Sequence, residues 1–110
     1  MSIKLERINK ELQREISYIL ANEVKNPNIK YVTITCCDTT SDLSFTKVYF
    51  TTLEDRKEIL EGLKSAKGFI RKTLADRIDL RHMPELEFIY DDSIEYGARI
   101  EEKLKEIHDK

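Results

Sequence analysis

Lys64-Ser65-Ala66-Lys67-Gly68-Phe69-Ile70-Arg71-Lys72 joins two helical patterns, one running in from Arg56 and one running out to Ile78. Glycine in a helix interior costs about 1 kcal/mol relative to alanine. Ser65 competes for backbone hydrogen bonds. The stretch is therefore expected to bend, with Ala66, Lys67 and Gly68 as an interhelical kink. Lys64, Lys67, Arg71 and Lys72 fall inside it and no acid does. A bent helix pair with uncompensated cations suits a polyanion; solvated lysines at a helix–turn–helix joint are the plainer alternative.

Before this stretch, Leu5, Ile8, Leu12, Ile16, Ile19 and Leu20 recur at helical spacing, and Asn26-Pro27-Asn28 is expected to end that first helix. Tyr31 to Thr39 and Phe45 to Thr52 alternate with period two around the turn chemistry of Thr40-Ser41-Asp42, which predicts a β-hairpin. Ile59, Leu60 and Leu63 form the inner stripe of a short helix over Arg56–Lys64, and Ile70, Leu74 and Ile78 that of a second over Phe69–Ile78. After the loop Leu80-Arg81-His82-Met83-Pro84, residues Leu86 to Tyr90 read as a third strand, and Ile94, Ile100, Leu104 and Ile107 as a last helix. A crossover of about 30 residues between the second and third strands permits parallel pairing with a right-handed connection. The order α-β-β-α-kink-α-β-α, with a three-stranded mixed sheet covered by helices on one face, is the outline of a KH-like α+β domain. KH domains grip nucleotides with a GXXG loop; here Ala66-Lys67-Gly68 stands in its place.

The chain has 110 residues and a net charge of −2. One domain over residues 1–110 is expected, burying roughly 65% of its unfolded surface. No apolar run approaches the roughly 20 residues needed to span a membrane, and the charged N-terminus has no signal-peptide pattern. A cytoplasmic protein without a membrane partner is expected. Bulk charge argues against nonspecific nucleic-acid binding, but its distribution does not. Residues 56–84 carry eight cations and four anions, whereas residues 85–110 carry four cations and nine anions. Such a chain can attract a polyanion to one side only.

Signals for catalysis are weak. Cys36 and Cys37 are adjacent, which disfavours a disulfide between them on a strand, and with His82 and His108 they show no metal-ligand spacing. They read as strand packing residues. Asp91-Asp92 reads first as a helix cap and only secondarily as the carboxylate pair of a metal-dependent nuclease. Tyr31, Phe45 and Tyr49 offer either base stacking or sheet-face packing. No metal, cofactor or small-molecule substrate is expected.

Several pieces together resemble a known family. These are Glu23-Val24-Lys25-Asn26-Pro27, Val32-Thr33-Ile34-Thr35, Ser41-Asp42-Leu43 and Lys47-Val48-Tyr49-Phe50. The sharpest are Ala66-Lys67-Gly68-Phe69-Ile70-Arg71 and Leu80-Arg81-His82-Met83-Pro84-Glu85-Leu86-Glu87-Phe88-Ile89-Tyr90-Asp91. In combination they resemble the ribosome-binding factor A family of bacterial small-subunit maturation factors. The resemblance implies a type II KH-like fold in which an Ala-x-Gly kink replaces GXXG, with Arg71 at the family's basic position after the kink. It implies a non-enzymatic ribosome assembly factor that binds the 30S subunit and 16S ribosomal RNA. It also implies a role in late maturation, including 5′-end processing of that RNA, and in growth in the cold. The expected RNA contacts are Lys64, Lys67, Arg71 and Lys72, with Arg77 and Arg81, and with Lys4, Arg7, Lys10 and Arg14 from the first helix. A monomer is expected, with the acidic C-terminal helix turned away from the RNA. Some members carry a longer basic tail; this chain ends with Glu101, Glu102, Glu106 and Asp109 among its last residues.

Overall fold

Alternation along Phe45–Thr52 sets two faces on the central strand, and the rest of the fold is assembled on one of them. The computed structural model describes residues 3–25, 29 and 31–92. Helix α1 (Ile3–Asn22) leads into strands β1 (Val32–Thr39) and β2 (Phe45–Thr52), followed by helix α2 (Arg56–Arg77) and strand β3 (Glu85–Tyr90). The sheet order is β1-β2-β3, with β1 antiparallel and β3 parallel to β2. This is the KH-like α+β architecture with a mixed sheet that the sequence predicts. Val48 and Phe50 from β2, Ile34 and Cys37 from β1, and Leu86 and Phe88 from β3 form one core. Against them lie Leu12, Ile16 and Ile19 of α1 and Leu63, Ile70 and Leu74 of α2. Thr39 and Thr46 are also buried, and their hydroxyls satisfy each other at 2.8 Å. The last helix expected over residues 94–107, and the helix stop expected at residues 26–28, lie outside the described residues; α1 itself ends at Asn22.

The two helices expected around Gly68 are corrected to one. Helix α2 runs unbroken through Ala66, Lys67 and Gly68. The reason is the inner stripe. Ile59, Leu63, Ala66, Ile70 and Leu74 are buried at steps of three and four, which a single helix keeps in register against the sheet. Full burial of each large aliphatic contributes about 1.5–3 kcal/mol, more than the roughly 1 kcal/mol that glycine costs. Gly68 does not have positive φ, lies on the exposed side, and an added Cβ would meet nothing within 4 Å. Gly68→Ala is therefore expected to raise stability by up to about 1 kcal/mol, read as a higher denaturation midpoint. A lower midpoint would mean that the helix requires glycine there.

Strand β1 departs from simple alternation. Ile34 pairs with Phe50 and Cys36 with Tyr49, so Thr35 is an extra residue in a β-bulge. The bulge turns Cys36 outward and Cys37 inward, which corrects the packing role expected for Cys36. It also aims the Thr35 hydroxyl at the end of β3, where Oγ1 donates to Asp91 Oδ2 at 2.6 Å. Strand β1 is a sheet edge, and unpaired edges invite association. Helix α1 covers part of this one. Asn9 Oδ1 accepts from the Thr39 amide at 2.9 Å, and Gln13 Nε2 donates to the carbonyls of Ile34 and Thr35, each at 3.2 Å.

Candidate nucleic-acid interface

Helix α2 begins where Asp55 accepts from the amides of Lys57 and Glu58, at 2.9 and 3.3 Å. The cap sets the start of the helix, and the buried stripe sets which residues face outward. Lys57, Lys64 and Arg71 follow at steps of seven, with Lys67 between them, so all four share one stripe. Lys57 and Lys64 are exposed and Lys67 is half-buried. Among the described residues, no ion pair engages these three lysines. Lys57 is not one of the residues expected to touch RNA, although its seven-residue spacing from Lys64 is visible in the sequence. Lys72 is also exposed and lies about 60° from Lys57 and about 80° from Lys64 around the helix, on the flank opposite Lys67.

Arg71 and Arg77 of α2 are engaged within the protein. Arg71 donates from Nε to the Pro84 carbonyl at 3.1 Å and from Nη2 to the Met83 carbonyl at 2.9 Å. Its Nη1 lies 3.2 Å from the Glu85 carboxylate. One planar fork thus joins α2 to the loop that leads into β3. The sequence pieces ending in Arg71 and containing Pro84-Glu85, 13 residues apart, meet in this contact. Arg77 lies near the C-terminal end of α1. It pairs with Glu23 and Glu15 and stacks over the Tyr18 ring at 5.4 Å. Its hydrogen bond to Glu23, ahead of other causes, holds its pKa above the ordinary arginine value.

The remaining expected contacts separate into two places. Arg81 is exposed in the loop after α2, beside the equally exposed His82. Arg7, Lys10 and Arg14 line a shallow depression on α1 together with Glu11, and Lys4 is exposed near the start of that helix. The expected contacts are thus divided among helix α2, a loop and an α1 patch.

The other groups considered for chemistry have structural surroundings. Burial, above all, pushes the Cys37 thiol up to about 12, and burial followed by the Asp91 charge also raises that of Cys36. Both disfavour the reactive thiolate. Asp91 is tied to Thr35. Among the described residues, no group of three or more His, Cys, Asp or Glu side chains could hold a metal ion, and no helix is long and apolar enough to cross a membrane. Tyr31 and Phe45 are exposed and Tyr49 is half-buried, on or beside the sheet face that the helices leave open.

Residues 4–104 match the family model described as ribosome-binding factor A. The chain is 46% identical over 111 residues to ribosome-binding factor A of Macrococcus caseolyticus, covering 98% of this chain and 97% of that one. Its identity to the Staphylococcus carnosus protein of the same name is 43%, covering 98% and 96%. Among solved structures, the crystal structure of ribosome-binding factor A from Thermus thermophilus aligns with a TM-score of 0.74 at 22% identity, covering 78% of this chain and 93% of that one. A model of the Thermus thermophilus factor fitted into a cryo-EM map of a 30S complex aligns with a TM-score of 0.67 at 23% identity, covering 76% and 91%. The structural likeness concerns the fold, and the family follows from the sequence matches across nearly the whole chain: this protein belongs to the ribosome-binding factor A family.

Proposed function

We propose that this protein binds the small ribosomal subunit through 16S ribosomal RNA and assists late maturation of that subunit in the cytoplasm. The observation that carries this reading is the Lys57–Lys64–Lys67 stripe on a protein of net charge −2. An acidic molecule that displays a row of lysines on one helix can approach a polyanion in few orientations. Contacts of this kind position the protein on phosphates and carry no base sequence information. The 30S complex of the Thermus thermophilus relative supports the choice of particle.

The proposal extends the family reading to 5′-end processing of 16S RNA and to growth in the cold. The protein acts as a monomer that holds or remodels an immature RNA helix, and no chemical step is required of it. The Arg7–Lys10–Arg14 patch on α1 offers a second, separate phosphate contact. Arg71 and Arg77 are secondary in this scheme because they already hold protein partners, and Lys72 flanks the row on the side opposite Lys67.

Co-sedimentation of purified protein with 30S subunits, 50S subunits and 70S ribosomes at two salt concentrations tests the reading. Retention on 30S that falls steeply with salt, with little on the other particles, is expected. Retention insensitive to salt would favour apolar docking to a protein, and no retention on any particle at low salt would remove the function.

A further inference from the structure

We infer that Arg71 is a positioning residue, and that the loop it holds, through Arg81 and beside the α2 lysines, is itself a phosphate-contact element. The inference rests on the ribosome reading above and assigns a division of labour within that surface. A guanidinium bound to phosphate has to offer its N–H groups outward. Arg71 instead directs Nε and Nη2 at two successive backbone carbonyls, Pro84 and Met83, and Nη1 at the Glu85 carboxylate. All three of its nitrogens are thus engaged on one short segment. Releasing Arg71 to an external anion would leave two carbonyls without that donor and the Glu85 carboxylate without its partner.

The effect falls on the residues next to the clamp. Arg81 and His82 immediately precede Met83 and are exposed. The clamp ties the segment they lead into to Arg71, which shares its helix stripe with Lys67 one turn and Lys64 two turns earlier. The loop therefore extends the lysine row at its C-terminal end. Among the described residues, Arg81 has no ion pair. Arg71 supplies the geometry, and Arg81 supplies the charge that reaches the RNA.

A double-mutant cycle on 30S binding, read as the slope of log affinity against log salt, tests this. Removing one phosphate contact lowers the slope by about one. Arg81→Ala is expected to lower it by about one and to leave the denaturation midpoint unchanged. Arg71→Ala is expected to lower it by about one as well, because the loop is released. The double variant is expected to lower it by about one in total. A fall of about two in the double variant would make Arg71 a direct contact and overturn the inference. An unchanged slope in Arg81→Ala would overturn it as well, with wild-type binding intact. Loss of salt-dependent binding in the wild type itself would instead remove the ribosome reading.

Arginine modification by phenylglyoxal on the wild-type protein gives a second measurement that requires no folded variant. Arg81 should react in the free protein and be protected on 30S, whereas Arg71 should resist in both states. Ready modification of free Arg71, followed by its protection on 30S, would overturn the assignment.

Discussion

Reversing Lys57, Lys64 and Lys67 together to Glu should weaken 30S binding by about 100-fold or more at 0.1 M salt while leaving the domain folded. The size follows from counterion release. Each phosphate contact gives a slope of about 0.7–0.9 in log affinity against log salt, so three of them together are worth about two to three decades at 0.1 M. Reversal adds repulsion where neutralisation would only remove attraction. The fold should survive, because these side chains make no ion pair among the described residues and the inner stripe of α2 is built from other residues. Circular dichroism and the denaturation midpoint should stay close to wild type. Exposed lysines contribute little to stability, so a large loss of stability would place them in the fold. Unchanged binding by a natively folded variant would mean that the stripe does not face the ribosome, and the Arg7–Lys10–Arg14 patch would then be the surface to test. Reversing Lys72 alone should do less, since it changes one exposed cation rather than three.

The fold was legible wherever burial imposes a short period. The alternation of Thr46, Val48 and Phe50, and the spacing of Ile8, Leu12, Ile16 and Ile19, pass directly from pattern to buried face. The continuity of α2 was not legible, because the glycine penalty at position 68 is local whereas the sheet that outweighs it is assembled from three distant strands. The bulge at Thr35 has no marker in Thr-Cys-Cys. It becomes visible only once Phe50 and Tyr49 are paired with Ile34 and Cys36.

The candidate site was legible in composition and not in geometry. Four cations in nine residues are evident in the sequence, but helical rotation puts Lys67 and Lys72 on opposite flanks of Lys64. The carbonyls of Met83 and Pro84, which no side-chain pattern announces, capture Arg71. Lys57 could have been found by extending the Lys64–Arg71 spacing one step back. What separates the lysines of the row from Arg71 and Arg77 is the partner each arginine holds in the fold.

Phe50→Ala should cost about 3–5 kcal/mol, and it reports on the fold rather than on the ribosome. Phe50 is fully buried in the central strand, pairs with Ile34 on one side, and meets the Tyr90 ring edge-to-face at 5.7 Å on the other. Truncation removes the buried ring and leaves a cavity that the surrounding core cannot easily fill. The edge-to-face contact adds about 0.5–1.5 kcal/mol beyond burial. Tyr90 in turn lies under the Arg56 guanidinium at 4.8 Å, so losing Phe50 also loosens the seat of the first residue of α2. A domain of this size has about 5–15 kcal/mol in total, and the variant should therefore show a much lower denaturation midpoint. Phe50→Leu, which keeps most of the volume, should cost markedly less. If Phe50→Ala costs under about 2 kcal/mol, the core has collapsed around the site and the sheet does not depend on this ring. At low temperature, where Phe50→Ala remains folded, its 30S affinity should match wild type because every lysine of the stripe is still present. The triple reversal should behave in the opposite way, with native stability and impaired binding. Together the two variants separate the residues that hold α2 in place from those that α2 presents.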